Sequence, residues 1–99
     1  MSLYKTEFPN FDTELKIPEG YEDHSYHNDV MPRAYKVSTL ADGTEIIVSI
    51  WQDYANEDLR EWEDTTRYCL QIDVNGVFVC SFPTNEWSEI ERLVEGVIV

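Results

Sequence analysis

Both histidines of this chain fall in one short stretch, Glu22-Asp23-His24-Ser25-Tyr26-His27-Asn28-Asp29, where they meet carboxylates. Imidazole nitrogen and carboxylate oxygen are ordinary ligands of zinc and of other divalent metals. His24 and His27 stand three residues apart, so on a helix their rings would share a face. Pro18, Gly20 and Pro32 surround the stretch and argue against a helix there. The plainer reading is a polar loop whose histidines hydrogen-bond locally. His24, His27 and Asp29 are therefore the candidate metal- or ligand-binding set, and no other residue pattern implies a cofactor.

Cys69 and Cys80 each lie in a strand-like run, with no third or fourth ligand nearby. A strand interior offers nothing to lower a thiol pKa, so neither is an evident nucleophile. The reading is two reduced, unbridged thiols packed as small apolar groups. The chain has no G-x-S-x-G, no Gly-rich phosphate loop and no H-E-x-x-H. No catalytic residue can be named, and an enzymatic reading rests on the histidine segment alone.

Charge is more informative. Twenty Asp and Glu oppose seven Lys and Arg, a formal net charge of −13. A nucleic-acid binder needs a cationic face that displaces counterions from phosphate, and this chain is ill-equipped to build one. Anionic membranes are disfavoured for the same reason, and no run of apolar residues is long enough to span a bilayer. The first residues contain no apolar core of a secretion signal, so the expected location is cytoplasmic. The densest acids are Glu57, Asp58, Glu61, Glu63 and Asp64, set around Trp62. A tryptophan ringed by carboxylates is a credible anchor for a basic protein surface, and these six are the candidate interaction residues. A second dense set is Glu86, Glu89, Glu91 and Glu95.

The elements that must position these residues follow from pattern. The 99 residues make one domain. Residues 1–34 read as an irregular arm with scattered aromatic side chains and a short strand at most over Thr13–Ile17. Residues 35–82 read as two hairpins. The first turns at Asp42-Gly43, which would set Thr39 against Ile46, Val37 against Val48 and Tyr35 against Ile50. The second turns at Asn75-Gly76, setting Val74 against Val77, Ile72 against Val79 and Asp73 against Phe78. Cys69 and Cys80 would then be diagonal neighbours, a poor disulfide geometry. Residues 84–97 read as a helix with Thr84 or Asn85 at its cap and Trp87, Ile90, Leu93, Val94 and Val97 on its apolar face. Between the hairpins, Asn56 could cap a short helical turn. The expected architecture is an α+β fold: a four-stranded antiparallel sheet with the C-terminal helix on one face. The other face, with Trp51, Ile47, Phe78 and Phe82, needs a cover, either the N-terminal arm or a partner. A homo-oligomer through that face is one form of the second.

The segments Ser25-Tyr26-His27-Asn28-Asp29-Val30-Met31-Pro32 and Trp51-Gln52-Asp53-Tyr54-Ala55-Asn56-Glu57, followed by Arg60-Glu61, resemble small uncharacterised proteins encoded by bacteria and their phages or plasmids. The resemblance covers about a quarter of the chain. It implies a bacterial cytoplasmic accessory protein and transfers no functional residue.

Two functions of different class follow. One is a non-enzymatic interaction protein, accessory or inhibitory, that engages a basic protein surface. The other is a small metal- or ligand-binding domain, or an enzyme, built on His24, His27 and Asp29. Convergence of those residues in a concave site would favour the second.

Overall fold

A computed structural model describes residues 3–27, 29–61 and 65–96. It is an α+β protein with one antiparallel sheet and a C-terminal helix. The sheet is a meander in which each strand pairs with its neighbours in sequence, in the order β1 (Glu22–Asp23), β2 (Arg33–Thr39), β3 (Glu45–Gln52), β4 (Tyr68–Val74) and β5 (Val77–Thr84). A short helix α1 (Leu3–Glu7) opens the chain and α2 (Trp87–Gly96) follows the sheet. Five strands replace the four expected, because Glu22 and Asp23 pair with Tyr35 and Ala34 at the edge. Two polar residues carry no alternating pattern, so this strand exists only through its partner. Thr13–Ile17 is not a strand.

The second hairpin turns as its sequence requires. Asn75 and Gly76 both take positive φ, at 51° and 80°, and Val74 pairs with Val77 and Asp73 with Phe78. A bulge at Val79, opposite the step between Asp73 and Ile72, then shifts the ladder by one, so Ile72 pairs with Cys80 instead of Val79 and Cys69 pairs with Pro83. The first hairpin differs from expectation. Its loop has three residues, Ala41-Asp42-Gly43, closed by Leu40 N–H to Thr44 O at 2.8 Å and by Gly43 N–H to Leu40 O at 2.9 Å. Gly43 sits at φ 90°, the left-handed residue that ends a three-residue hairpin loop. Thr39 therefore pairs with Glu45, Val37 with Ile47 and Tyr35 with Ser49. A slip of one residue exchanges the two faces of β2 relative to β3.

One face of the sheet now presents Ala34, Val48, Ile50, Gln52, Tyr68, Leu70 and Ile72, and α2 packs on it. The core joins Tyr21, Ala34, Val48, Ile50, Tyr68 and Leu70 to Ile90, the one helix residue among those described that is fully buried, with Trp87, Leu93 and Val94 half-buried around it. Thr84 Oγ1 accepts from Glu86 N–H at 3.1 Å, a local turn that leads from the end of β5 into α2, which begins at Trp87. Asn85 instead accepts from Arg67 N–H at 2.9 Å, tying the start of α2 to the start of β4. The helix ends at Gly96; Val97 lies outside the described residues.

The arm divides: residues 16–19 lie beside α2, whereas His24 stacks on Tyr35 of the opposite face and Asp29, Val30 and Met31 line that face beside Trp51. The Gln52 amide donates to Glu14 O at 2.8 Å and accepts from Lys16 N–H at 3.0 Å. The Lys16 ammonium lies 5.2 Å from the Trp87 ring and 6.0 Å from the Tyr68 ring. Tyr4 N–H reaches Asp23 Oδ2 at 2.8 Å, and Tyr4, Phe8 and Leu15 are buried. Tyr21 of the arm enters the main cluster and closes the rim of the helix-covered face. Among the described residues no helix packs on the other face, where Val37 and Phe78 are exposed, while Phe82 moves to the helix side of β5 with the bulge.

Candidate functional site

The histidine segment forms the connection between β1 and β2, and its members part company. The His24 ring stacks on Tyr35 with centroids 4.1 Å apart and planes 27° apart, while its N–H bonds Arg33 O at 2.8 Å. His27 Nδ1 lies 3.4 Å from Glu7 Oε1. Asp29 closes a turn through its N–H to Tyr26 O at 2.9 Å and borders a cavity on the uncovered face. Among the described residues no group of three His, Cys, Asp or Glu is placed to hold a metal. The proposed ligand set is thus not assembled.

The acidic connection between β3 and β4 is a built loop. Asn56 Oδ1 accepts from Asp58 N–H at 3.0 Å and caps a single 3₁₀ turn over Glu57–Leu59. The Asp12 carboxylate accepts from Ala55 N–H at 2.9 Å and Asn56 N–H at 2.7 Å, fastening this loop to the arm. Desolvation pushes the Asp12 carboxyl up, but those two N–H bonds, with Arg67 nearby, more than offset it, and the group sits below the ordinary carboxylate range. Arg60 closes the loop from within, its Nε donating to Tyr54 O at 2.8 Å and its guanidinium to Thr65 O at 3.0 Å. Glu57, Asp58 and Glu61 are left exposed, and Leu59 does not anchor the turn, being 50% exposed. Trp62, Glu63 and Asp64 lie outside the described residues.

The cations follow one pattern. Arg33 lies between Tyr35 and Trp51, 5.5 Å and 5.1 Å from their centroids. Arg67 donates to Asp53 O at 3.0 Å and covers the Tyr68 ring. Lys16 sits over rings, and Arg60 bonds main-chain carbonyls. Among the described residues the one carboxylate in an ion pair with Lys or Arg is Glu89, with Arg92, and Glu7 hydrogen-bonds His27. Lys5, Lys16, Arg33, Arg60 and Arg67 are thus held by rings or backbone and Arg92 by Glu89, so most described carboxylates have no Lys or Arg partner.

The uncovered face holds a cavity of about 640 Å³ bordered by Asp29, Val30, Met31, Trp51, Cys69 and Pro83 among others. Trp51 Nε1 donates to Gln71 Oε1 at 3.2 Å, and Gln71 Nε2 reaches Asp73 at 3.1 Å. Asp53 Oδ2 and Arg33 Nε are buried without a partner among the described residues. Sequence reasoning passed over Arg33, Gln71 and Asp53, since the slipped register alone aligns Arg33 with Trp51. Cys69 and Cys80 are free and sit on opposite faces, because the bulge puts Cys80 across from Ile72. Burial pushes the Cys69 thiol up, away from a reactive thiolate.

No protein-family model, no curated protein and no solved structure matches this chain.

Proposed function

We propose that this chain is a non-enzymatic interaction protein whose acidic surface engages a basic surface on another protein. The observation that carries the reading is the disposition of the cations. Arg33, Arg60, Arg67 and Lys16 are held by rings and main-chain carbonyls, so in a chain of net charge −13 exposed acids such as Glu57, Asp58 and Glu61 stand without a cation beside them. A field of this sign raises the encounter rate with cationic partners and repels polyanions. The loop that bears these three acids is fixed by its own cap, by Asp12 and by Arg60, which favours recognition by a preformed surface. The same chemistry is compatible with an accessory or inhibitory role.

The test is capture from lysate at low and high salt, with partners identified and their charge compared. Retention of basic proteins at about 0.05 M salt and their release at about 1 M, where the Debye length falls to about 3 Å, supports the reading. Charge reversal at Glu57, Asp58 and Glu61 together should weaken capture without unfolding the domain. Salt-insensitive or empty captures would sink it. A second reading, a small-ligand site, is favoured by one observation: the cavity beside Trp51 is within the size range of ligand pockets. Asp29 is its contribution from the histidine segment. A change in tryptophan emission on screening against small apolar ligands, lost in Trp51→Phe, tests it.

A further inference from the structure

We propose that the cavity beside Trp51 binds a small cationic amphiphile, a flat apolar ring that carries an ammonium group, with the ring against Trp51 and the ammonium toward Asp29. This deepens the small-ligand reading and rests on it. The floor follows from the register. Trp51, Cys69 and Pro83 are consecutive partners across β3, β4 and β5, and all three border the cavity. Val30 and Met31, from the connection between β1 and β2, and Thr66, from the connection between β3 and β4, border it as well. At about 640 Å³ the space accommodates a ligand of two fused rings. The polar groups of the floor are taken up within the chain. Trp51 Nε1 donates to Gln71 Oε1, Gln71 Nε2 donates to Asp73, and Thr66 Oγ1 donates to Tyr68 O at 2.8 Å. The floor thus offers aromatic and apolar surface more than hydrogen bonds, which suits a ring.

Charge selects the rest of the ligand. Asp29 is the one charged residue that borders the cavity. Its N–H closes the turn to Tyr26 O, and its carboxylate has no partner among the described residues. A second acid stands on the same side of the sheet. The ladder continues past β3, with Gln52 N–H on Pro32 O at 3.1 Å and Asp53 N–H on Arg67 O at 2.8 Å. Alternation therefore returns Asp53 to the side that Trp51 occupies, in register with Met31. Asp53 is fully buried, and its Oδ2 has no partner among the described residues. The cations nearby are engaged elsewhere. Arg33 approaches Trp51 from β2, away from Cys69 and Pro83, with Nη1 3.5 Å from Ser49 Oγ. Arg67 is held on Asp53 O and over the Tyr68 ring. Neither borders the cavity. An anionic ligand would meet Asp29 with no cation to offset it. An ammonium would find an unpaired acceptor there, and the net charge of −13 raises the local concentration of small cations.

The probes are three naphthalenes of similar size: 1-naphthylmethylamine, 1-naphthalenemethanol and 1-naphthoate, which are cationic, neutral and anionic at neutral pH. Each is titrated at low salt into isotope-labelled full-length protein, and the Trp51 indole N–H, the Met31 methyl and the backbone amides are followed. The amine should shift the Trp51 and Met31 signals and bind about two- to five-fold more tightly than the alcohol, the range of one exposed ion pair. The naphthoate should bind most weakly. Asp29→Asn should bring the amine to the affinity of the alcohol and leave the alcohol unchanged. The turn at Asp29 is closed by its main-chain N–H, so the variant should keep the wild-type fold; the three-probe series on the unaltered chain stands without it. Equal binding of amine and alcohol at Trp51, or a preference for the amine that survives in Asp29→Asn, overturns the ammonium assignment and leaves the small-ligand reading standing. Amine shifts confined to Glu57–Glu61 or to α2, with the alcohol still at Trp51, do the same. No shift at Trp51 and Met31 with any of the three overturns both.

Discussion

Replacing Ile90 with alanine tests whether one side chain fastens α2 to the sheet. Ile90 is fully buried and joins the cluster of Val48, Ile50, Tyr68 and Leu70, while Trp87, Leu93 and Val94 are only half-buried around it. Truncation removes three carbons, each contributing about 0.8 kcal/mol of transfer free energy, for roughly 2.4 kcal/mol. The β-sheet beneath is hydrogen-bonded on both sides of β4 and cannot collapse into the gap. A residual cavity of roughly 40–60 Å³ at about 24 cal/mol per Å³ adds about 1–1.5 kcal/mol. The expected loss is about 3.5 kcal/mol, a large part of the stability of a small domain. Urea titration followed by far-ultraviolet circular dichroism measures it through the midpoint at unchanged slope. Trp87→Ala should cost less, about 1–3 kcal/mol, because that ring is half-buried against Tyr68 and Lys16. An Ile90→Ala loss under about 1 kcal/mol, or one smaller than that of Trp87→Ala, would refute the assignment of the helix anchor.

Other outcomes follow from particular residues. Asn75→Ala should destabilise by about 1–2 kcal/mol, since alanine is strained at φ 51° and the bond from Glu45 N–H to Asn75 Oδ1 is lost; an unchanged melting temperature would contradict the turn's role. The folded-state pKa of Asp12 is depressed, so its stabilisation is present above the unfolded value of about 3.9 and is lost as pH falls through the folded value. The protection of the Ala55 and Asn56 amides, relative to their intrinsic exchange rates at each pH, should therefore fall in acid, and Asp12→Asn should flatten that pH dependence. Thiol titration of unfolded, unreduced protein should find both Cys69 and Cys80 reactive; finding neither would mean a bridge that opposite sheet faces forbid.

How far the sequence speaks depends on how local each determinant is. Asn75-Gly76 names its own turn, and the pairs Val74 with Val77 and Asp73 with Phe78 follow directly. The bulge that moves Ile72 onto Cys80 has no residue that announces it. Asp42-Gly43 is equally suggestive, yet the loop takes in Ala41, and the Asp42 carboxylate accepts from Thr44 N–H at 2.9 Å instead of occupying a two-residue turn. Both loop lengths need a left-handed glycine, so composition alone does not separate them. The candidate site is less legible still. Glu57, Asp58 and Glu61 could be read as exposed acids from their density, but the partners that hold their loop, Asp12 and Arg60, act across the fold or through backbone carbonyls. The histidines lie close in sequence and read most plainly as locally bonded, but their partners, Tyr35 for His24 and Glu7 for His27, come from other elements that no local pattern names.

The order of the strands also has a consequence for the path by which the chain reaches its native state. Every ladder joins segments adjacent in sequence, so the sheet can assemble by successive hairpin closures with little loop entropy to overcome. The arm is different. Its ties at Glu14 and Lys16 to Gln52, and at Asp12 to Ala55 and Asn56, span 36 to 44 residues, and Gln52 offers its amide only once β3 is in place. Residues 12–16 are thus made before the segments they bind but can find those partners only after them, sealing the meander once it has paired.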